Sequence, residues 1–225
     1  MLKDLRAFLL SLLLVLFGTG GTSVGQQKQV IPELEDMGRG KEWKVSNRNV
    51  SHVTDGKRKV VRFDEQKGYG LAWLPSSTFS NGVIEFDVKG KNVDQKSFPG
   101  VAFHGLNDST YDAVYFRPFN FKSEDSLRHI HAVQYVSHPN NWWKVLRQLY
   151  PGVYENAVQP VPDPDSWFHV RLVLEYPKVS VFVNDAEKPC LVVDQLSDRK
   201  TGWVGLWVGD DSDGDFANLT ITTSK

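Results

Sequence analysis

Apolar and polar residues alternate along most of the chain in short runs separated by Gly, Asn, Asp and Pro. In Asn81-Gly82-Val83-Ile84-Glu85-Phe86-Asp87-Val88-Lys89, Ile84, Phe86 and Val88 fall on one side and Glu85 and Asp87 on the other. A period of two is the mark of a strand with one buried face. The pattern predicts strands at Trp43–Val45, Lys59–Phe63, Gly70–Leu74, Gly82–Lys89, Gly100–Leu106 and Ala113–Phe119. It continues with Ile130–Val136, Trp167–Glu175, Val179–Asn184, Cys190–Val193, Gly202–Val208 and Phe216–Thr222. Asp55-Gly56, Asn81-Gly82 and Asp213-Gly214 are turn dipeptides that tolerate positive φ, and Tyr176-Pro177-Lys178 reads as a tight hairpin. One segment alone has a helical period. Trp142, Leu146 and Leu149 recur at three to four residues before Pro151-Gly152, which predicts a short helix over 141–150. Many strands and one helix mean an all-β sandwich or barrel.

The N-terminus departs from this pattern. Lys3 and Arg6 precede the apolar run from Ala7 to Phe17, and small residues follow through Ser23 and Gly25. This is the layout of a signal peptide over 1–25, and the run is shorter than the roughly twenty apolar residues of a membrane span. A polar arm over 26–40 and one domain over 41–225 complete the expected organisation. No cysteine lies at the cleavage site, so the expectation is a secreted or periplasmic protein with no membrane insertion after cleavage. The formal net charge of −1 supplies no concentrated basic field and argues against a nucleic-acid partner. Cys190, the only cysteine, has no partner for an internal disulfide and reads as a small buried hydrophobe.

Candidate chemistry gathers between Phe98 and Ser137. Side chains two apart share a sheet face, so Tyr115 and Arg117 point together. His104 opposes Val101 and Phe103, and the next run separates His131 from Gln134. With neighbouring strands in register, one face gathers His104, Tyr115, Arg117 and either His131 or Gln134. Imidazole, phenol, guanidinium and amide groups among aromatics suit a neutral, hydroxyl-rich ligand. Arg117 would fork hydrogen bonds to hydroxyls, His104 would exchange a proton near neutral pH, and Glu155, on the loop after Pro151-Gly152, would close over the ligand. Trp142 and Trp143 offer a stacking platform, with one exposed and one buried. Trp203 and Trp207 read as packing residues. No cofactor is assigned. The run Asp210-Asp211-Ser212-Asp213-Gly214-Asp215 has the oxygen donors of a calcium loop but not the EF-hand spacing, and reads first as a solvated turn. His129 and His131 lack a third ligand, so no metal is assigned to them.

Several runs taken together resemble a known group. They are Asn81-Gly82-Val83-Ile84-Glu85-Phe86-Asp87-Val88, Pro99-Gly100-Val101-Ala102-Phe103 and Tyr111-Asp112-Ala113-Val114-Tyr115-Phe116-Arg117-Pro118. Asp165-Ser166-Trp167-Phe168-His169-Val170-Arg171, Val204-Gly205-Leu206-Trp207 and Gly214-Asp215-Phe216-Ala217-Asn218-Leu219 continue it. The chain resembles secreted concanavalin A-like (LamG-like) jelly rolls, in particular the DUF1080 or 3-keto-disaccharide hydrolase-like domains, over roughly residues 40–222. The resemblance implies an antiparallel two-sheet jelly-roll sandwich and a carbohydrate ligand or substrate. Glu85-Phe86-Asp87 lacks the second glutamate of the jelly-roll glucanase motif, so paired-carboxylate chemistry is not expected. Two functions follow. One is an enzyme of the 3-keto-disaccharide hydrolase-like type, with His104 or Glu155 as base. The other is a non-catalytic glycan-binding module using Tyr115, Arg117, Gln134, Trp142 and Trp143. A structural or adhesive surface domain ranks behind both.

Overall fold

In the strand Asn81–Lys89, Ile84, Phe86 and Val88 are fully buried while Glu85 and Asp87 stay partly exposed on the opposite side. The same alternation, repeated strand after strand, assembles a sandwich. The computed structural model describes residues 28–39 and 42–224; the expected signal peptide lies outside the described residues. In chain order the strands are β1 (Lys28–Val30), β2 (Lys44–Ser46), β3 (Val50–Asp55), β4 (Arg58–Gln66) and β5 (Gly70–Phe79). They continue as β6 (Asn81–Lys89), β7 (Pro99–Asn107), β8 (Thr110–Phe116), β9 (Val133–His138) and β10 (Glu155–Asn156). The last are β11 (Phe168–Glu175), β12 (Lys178–Val183), β13 (Leu191–Asp194), β14 (Gly202–Val208) and β15 (Ser212–Ser224). Two short helices, α1 (Ser126–His129) and α2 (Trp143–Leu149), lie in the connections flanking β9.

An eight-stranded sheet runs β13-β12-β11-β6-β15-β4-β3, with β1 added along β15. A seven-stranded sheet runs β10-β9-β8-β7-β14-β5-β2. All the pairings between these strands are antiparallel. The chain is thus an all-β jelly-roll sandwich, as expected. Phe86, Val170, Leu172, Phe216 and Ile221 from the larger sheet bury completely against Val101, Phe103, Val114, Phe116 and Leu206 from the smaller one. Burying a side chain of this size contributes about 1.5–3 kcal/mol, so the shared core is the main source of stability.

The differences from expectation are local. The strand read as Ile130–Val136 begins only at Val133, after α1 and a turn. His131 therefore precedes the strand instead of lying on it, and His129 ends α1. The run read as Ala113–Phe119 ends at Phe116, because Pro118 starts a 3-10 turn. The polar arm is stitched down: β1 pairs with β15, and Met37 is fully buried. No helix among the described residues is long and apolar enough to cross a membrane.

Candidate functional site

Cross-strand pairing fixes which side chains share the outer face of the seven-stranded sheet. Glu155 opposes Gln134, Gln134 opposes Tyr115, Tyr115 opposes Gly100, and Gly100 opposes Trp207. Small residues make room for large rings along this row. A Cβ at Gly100 would lie 2.7 Å from the Tyr115 Cβ, and one at Gly205 would lie 2.7 Å from the Trp73 ring. With no Cβ beneath them, Tyr115, Trp73 and Trp207 pack closely onto the sheet, and Tyr115 and Trp207 meet at 4.9 Å between centroids. Over this floor opens a cleft of about 760 Å³. Its walls are the segments that connect the strands of the sheet.

Tyr115, Arg117 and Gln134 are brought together as the alternation predicts. Arg117 Nη2 donates to Tyr115 Oη and to Gln134 Oε1, both at 2.5 Å, and Tyr115 Oη donates to Gln134 Oε1 at 3.0 Å. The guanidinium carbon sits 4.8 Å from the centroid of the Tyr115 ring, a cation–π contact. Pro118 keeps Arg117 out of the helical region, at φ −124° and ψ 84°, and the Arg117 N–H bonds the Ala132 carbonyl at 2.7 Å. Burial pushes the Tyr115 phenol up to about 12, so it remains a protonated donor. Burial also presses Arg117 below its ordinary value, opposed by Tyr115 and Glu155.

Glu155 does not lie on a loop closing over the cleft. It begins β10 at the sheet edge and is buried behind the wall. Arg147 Nε lies 3.1 and 3.0 Å from its two oxygens and Arg147 Nη2 lies 2.9 Å from Oε2. His131 Nδ1 is 2.8 Å and Arg117 Nη1 4.0 Å from the same Oε2. One carboxylate thus positions three nitrogenous side chains. All three, Arg117, His131 and Arg147, line the cleft.

His104 is displaced from the face on which strict alternation put it. Its φ is +48°, and the β7–β8 register shifts between Phe103 and Asn107. This bulge turns the imidazole away from the cleft. It is buried, stacks on Phe79 at 6.0 Å, and its Nε2 lies 2.8 Å from the Ser80 carbonyl. Burial lowers its pKa.

Trp142 and Trp143 both line the cleft and meet edge to face at 5.6 Å. Trp143 is exposed and Trp142 half-buried, while Leu146 supplies the buried anchor of α2. Trp207 adds a third indole, its Nε1 donating to Tyr111 Oη at 3.0 Å.

Two contributors were missed in the sequence. Arg147 follows Trp143 by four residues, one helical turn, and its guanidinium carbon lies 5.2 Å from the Trp143 ring; the predicted helix already held that spacing. His138 continues the Gln134, Val136 alternation, but the strand was read as ending at Val136. The imidazole lies between Tyr69 at 5.0 Å and Tyr111 at 4.8 Å and lines the cleft. Burial pushes its pKa down to about 4, with Asp112 opposing and Arg199 reinforcing the shift. It is therefore a neutral imidazole at physiological pH.

The acidic run near Asp210 is occupied by protein partners. Asp210 accepts from the Gly68 N–H at 2.6 Å, Lys67 meets Asp211 at 2.5 Å, Lys91 meets Asp213 at 3.1 Å, and Arg62 grips Asp215 at 2.7 Å. No cluster of three or more metal-ligating side chains occurs among the described residues. Glu85 and Asp87 lie on the outer face of the other sheet, beside His169 at 3.7 and 2.9 Å. Cys190 is buried, and its thiol is pushed up to about 12.

The fold recurs in solved structures. The carbohydrate binding module CBM66 from Bacillus subtilis is 14% identical, with a TM-score of 0.58 over 80% of this chain and 94% of its own. The exoplasmic/lumenal domain of VIP36, in its Ca2+/Man3GlcNAc-bound form, is 11% identical, with a TM-score of 0.53 over 81% and 84% of the two chains. A mixed linkage glucan GH16 protein of Bacteroides ovatus, in complex with product, is 10% identical, with a TM-score of 0.53 over 83% and 97%. These likenesses show a shared jelly-roll architecture. No family model and no curated protein sequence matches the chain.

Proposed function

We propose that this is an exported saccharide-binding protein whose ligand lies in the cleft over Tyr115 and Trp207, stacked against Trp142 or Trp143. The carrying observation is the lining itself: indole and phenol rings arranged around guanidinium and imidazole donors, in a space of about 760 Å³. Sugar rings present C–H faces to aromatics and hydroxyls to such donors, and pockets of this size hold small ligands. The structural neighbours support the reading by analogy, since their printed descriptions concern carbohydrate binding, a bound glycan and a glucan product. Isothermal titration with a panel of neutral and charged oligosaccharides tests it. Trp143→Ala is expected to weaken binding about tenfold, as losing an aromatic anchor does. Unchanged affinity in both Trp142→Ala and Trp143→Ala would remove the cleft from consideration.

One observation favours a second, catalytic reading of the 3-keto-disaccharide hydrolase-like (DUF1080) type. His138 places an imidazole, the side chain most often used for proton transfer, in the lining of the cleft. On a 3-keto glycoside it would take the proton from C2, the C–H electrons would form the C1–C2 double bond as the C1–O bond breaks, and the imidazolium so formed would return that proton to the departing anomeric oxygen, leaving the enone and an alcohol. Turnover of a 3-keto disaccharide, abolished in His138→Gln while binding persists, is the outcome that selects this reading.

A further inference from the structure

We infer that the ligand carries an anionic group, a carboxylate or sulfate on the sugar, and that Arg147 is the residue that selects it. This deepens the saccharide-binding reading and rests on it. Arg147 reaches Glu155 through Nε and Nη2 only. That edge of the guanidinium is committed. The Nη1 end has no protein partner among the described residues, and the side chain is among those lining the cleft. A planar fork with one edge fixed presents its end to a second oxyanion with little further loss of freedom. The Trp143 ring packs over the same guanidinium at 5.2 Å. A pyranose stacked on this tryptophan would therefore bring an exocyclic acid group within reach of Nη1.

Charge balance points the same way. Arg117, Arg128 and Arg147 all line the cleft. Arg128 is matched by Asp94, whereas Arg117 and Arg147 divide a single carboxylate, Glu155, that His131 also approaches. One positive charge is left without its own counter-ion in a partly desolvated site. Neutral hydroxyls would leave it so; a uronate or sulfate would balance it. The carboxylates Asp210 and Asp211, also in the lining, are met by Gly68 N–H and by Lys67 and Lys96.

The experiment compares a galacturonate trimer, its methyl ester, a sulfated galactose trimer and maltotriose by isothermal titration on the intact protein. The free acid or the sulfated sugar is expected to bind at least about tenfold more tightly than the ester or maltotriose, a charge-assisted hydrogen bond being worth roughly that factor. Which of the two acidic trimers binds more tightly identifies the group. The preference should shrink in Arg147→Gln, recover in part in Arg147→Lys, and weaken as salt is raised. Equal affinity for acid, ester and neutral sugar would overturn the inference while leaving the saccharide reading intact. Binding of none of the four would reject both.

Discussion

His138 shows most directly how a single residue acts here. Its folded pKa of about 4 lies below the ordinary 6.5, so between those values the unfolded chain binds more protons than the folded one. Stability therefore falls as pH drops from about 6.5 to 4 and is no longer sensitive to this group below that. The shift corresponds to about 2–3 kcal/mol over the window. His104 and His131, also lowered, act in the same direction. His169, raised chiefly by its hydrogen bond to Asp87, acts in the opposite sense, its contribution vanishing as pH rises through its folded pKa. His138→Phe keeps an aromatic ring between Tyr69 and Tyr111 and removes one titration. Urea unfolding across this range should give a flatter stability curve for the variant than for the parent; parallel curves would contradict the assignment. At this scale the sequence was informative where strict alternation held, as at Tyr115, Arg117 and Gln134. It misled at His104, where one positive φ reverses the side chain, because a bulge leaves no trace in residue type.

Among elements, the end of β8 and β9 depends on a buried acid that sequence reading passed over. Asp112, fully buried on the inner face, accepts from Tyr135 Oη at 2.5 Å, Ser197 Oγ at 2.7 Å and Arg199 Nη2 at 2.8 Å. Tyr135 Oη in turn accepts the Leu196 N–H at 3.0 Å. The segment before β14 is thereby fastened to the core. Asp112→Asn keeps the shape but leaves Arg199 without its counter-ion. Loss of one member of a buried ion pair costs about 3–5 kcal/mol, measurable as a lower denaturant midpoint with an unchanged slope. A change under about 1 kcal/mol would mean that the network matters little. Strands, the β11–β12 hairpin and α2 were legible because each has a local period or breaker. The short strands β1 and β10 were not, since so few residues carry no period and depend on a distant partner, and the six-residue β3 was missed as well, because it buries no residue fully and shows no apolar alternation. Glu155 was misplaced for that reason.

For the molecule as a whole, the two sheets expose different chemistry. The eight-stranded sheet carries Glu85, Asp87 and His169 outward, and the seven-stranded sheet carries the cleft. Glu85→Gln should leave saccharide affinity and any turnover within about twofold, because a conservative change on a distant surface is normally near neutral. A tenfold loss would move the functional face to the other side of the sandwich. The fold was readable because the period-two pattern repeats across the chain, whereas the cleft is walled by connections, where pattern lapses and contacts are non-local. That arrangement has an evolutionary reading. Because α2 is tied to the sheet beneath it chiefly through Leu146 and the Arg147–Glu155 clasp, the wall between β9 and β10 can accumulate substitutions with small penalty to the scaffold. Close homologues should then diverge fastest in the α2 residues that face the cleft, and slowest in the glycines on which the rings rest.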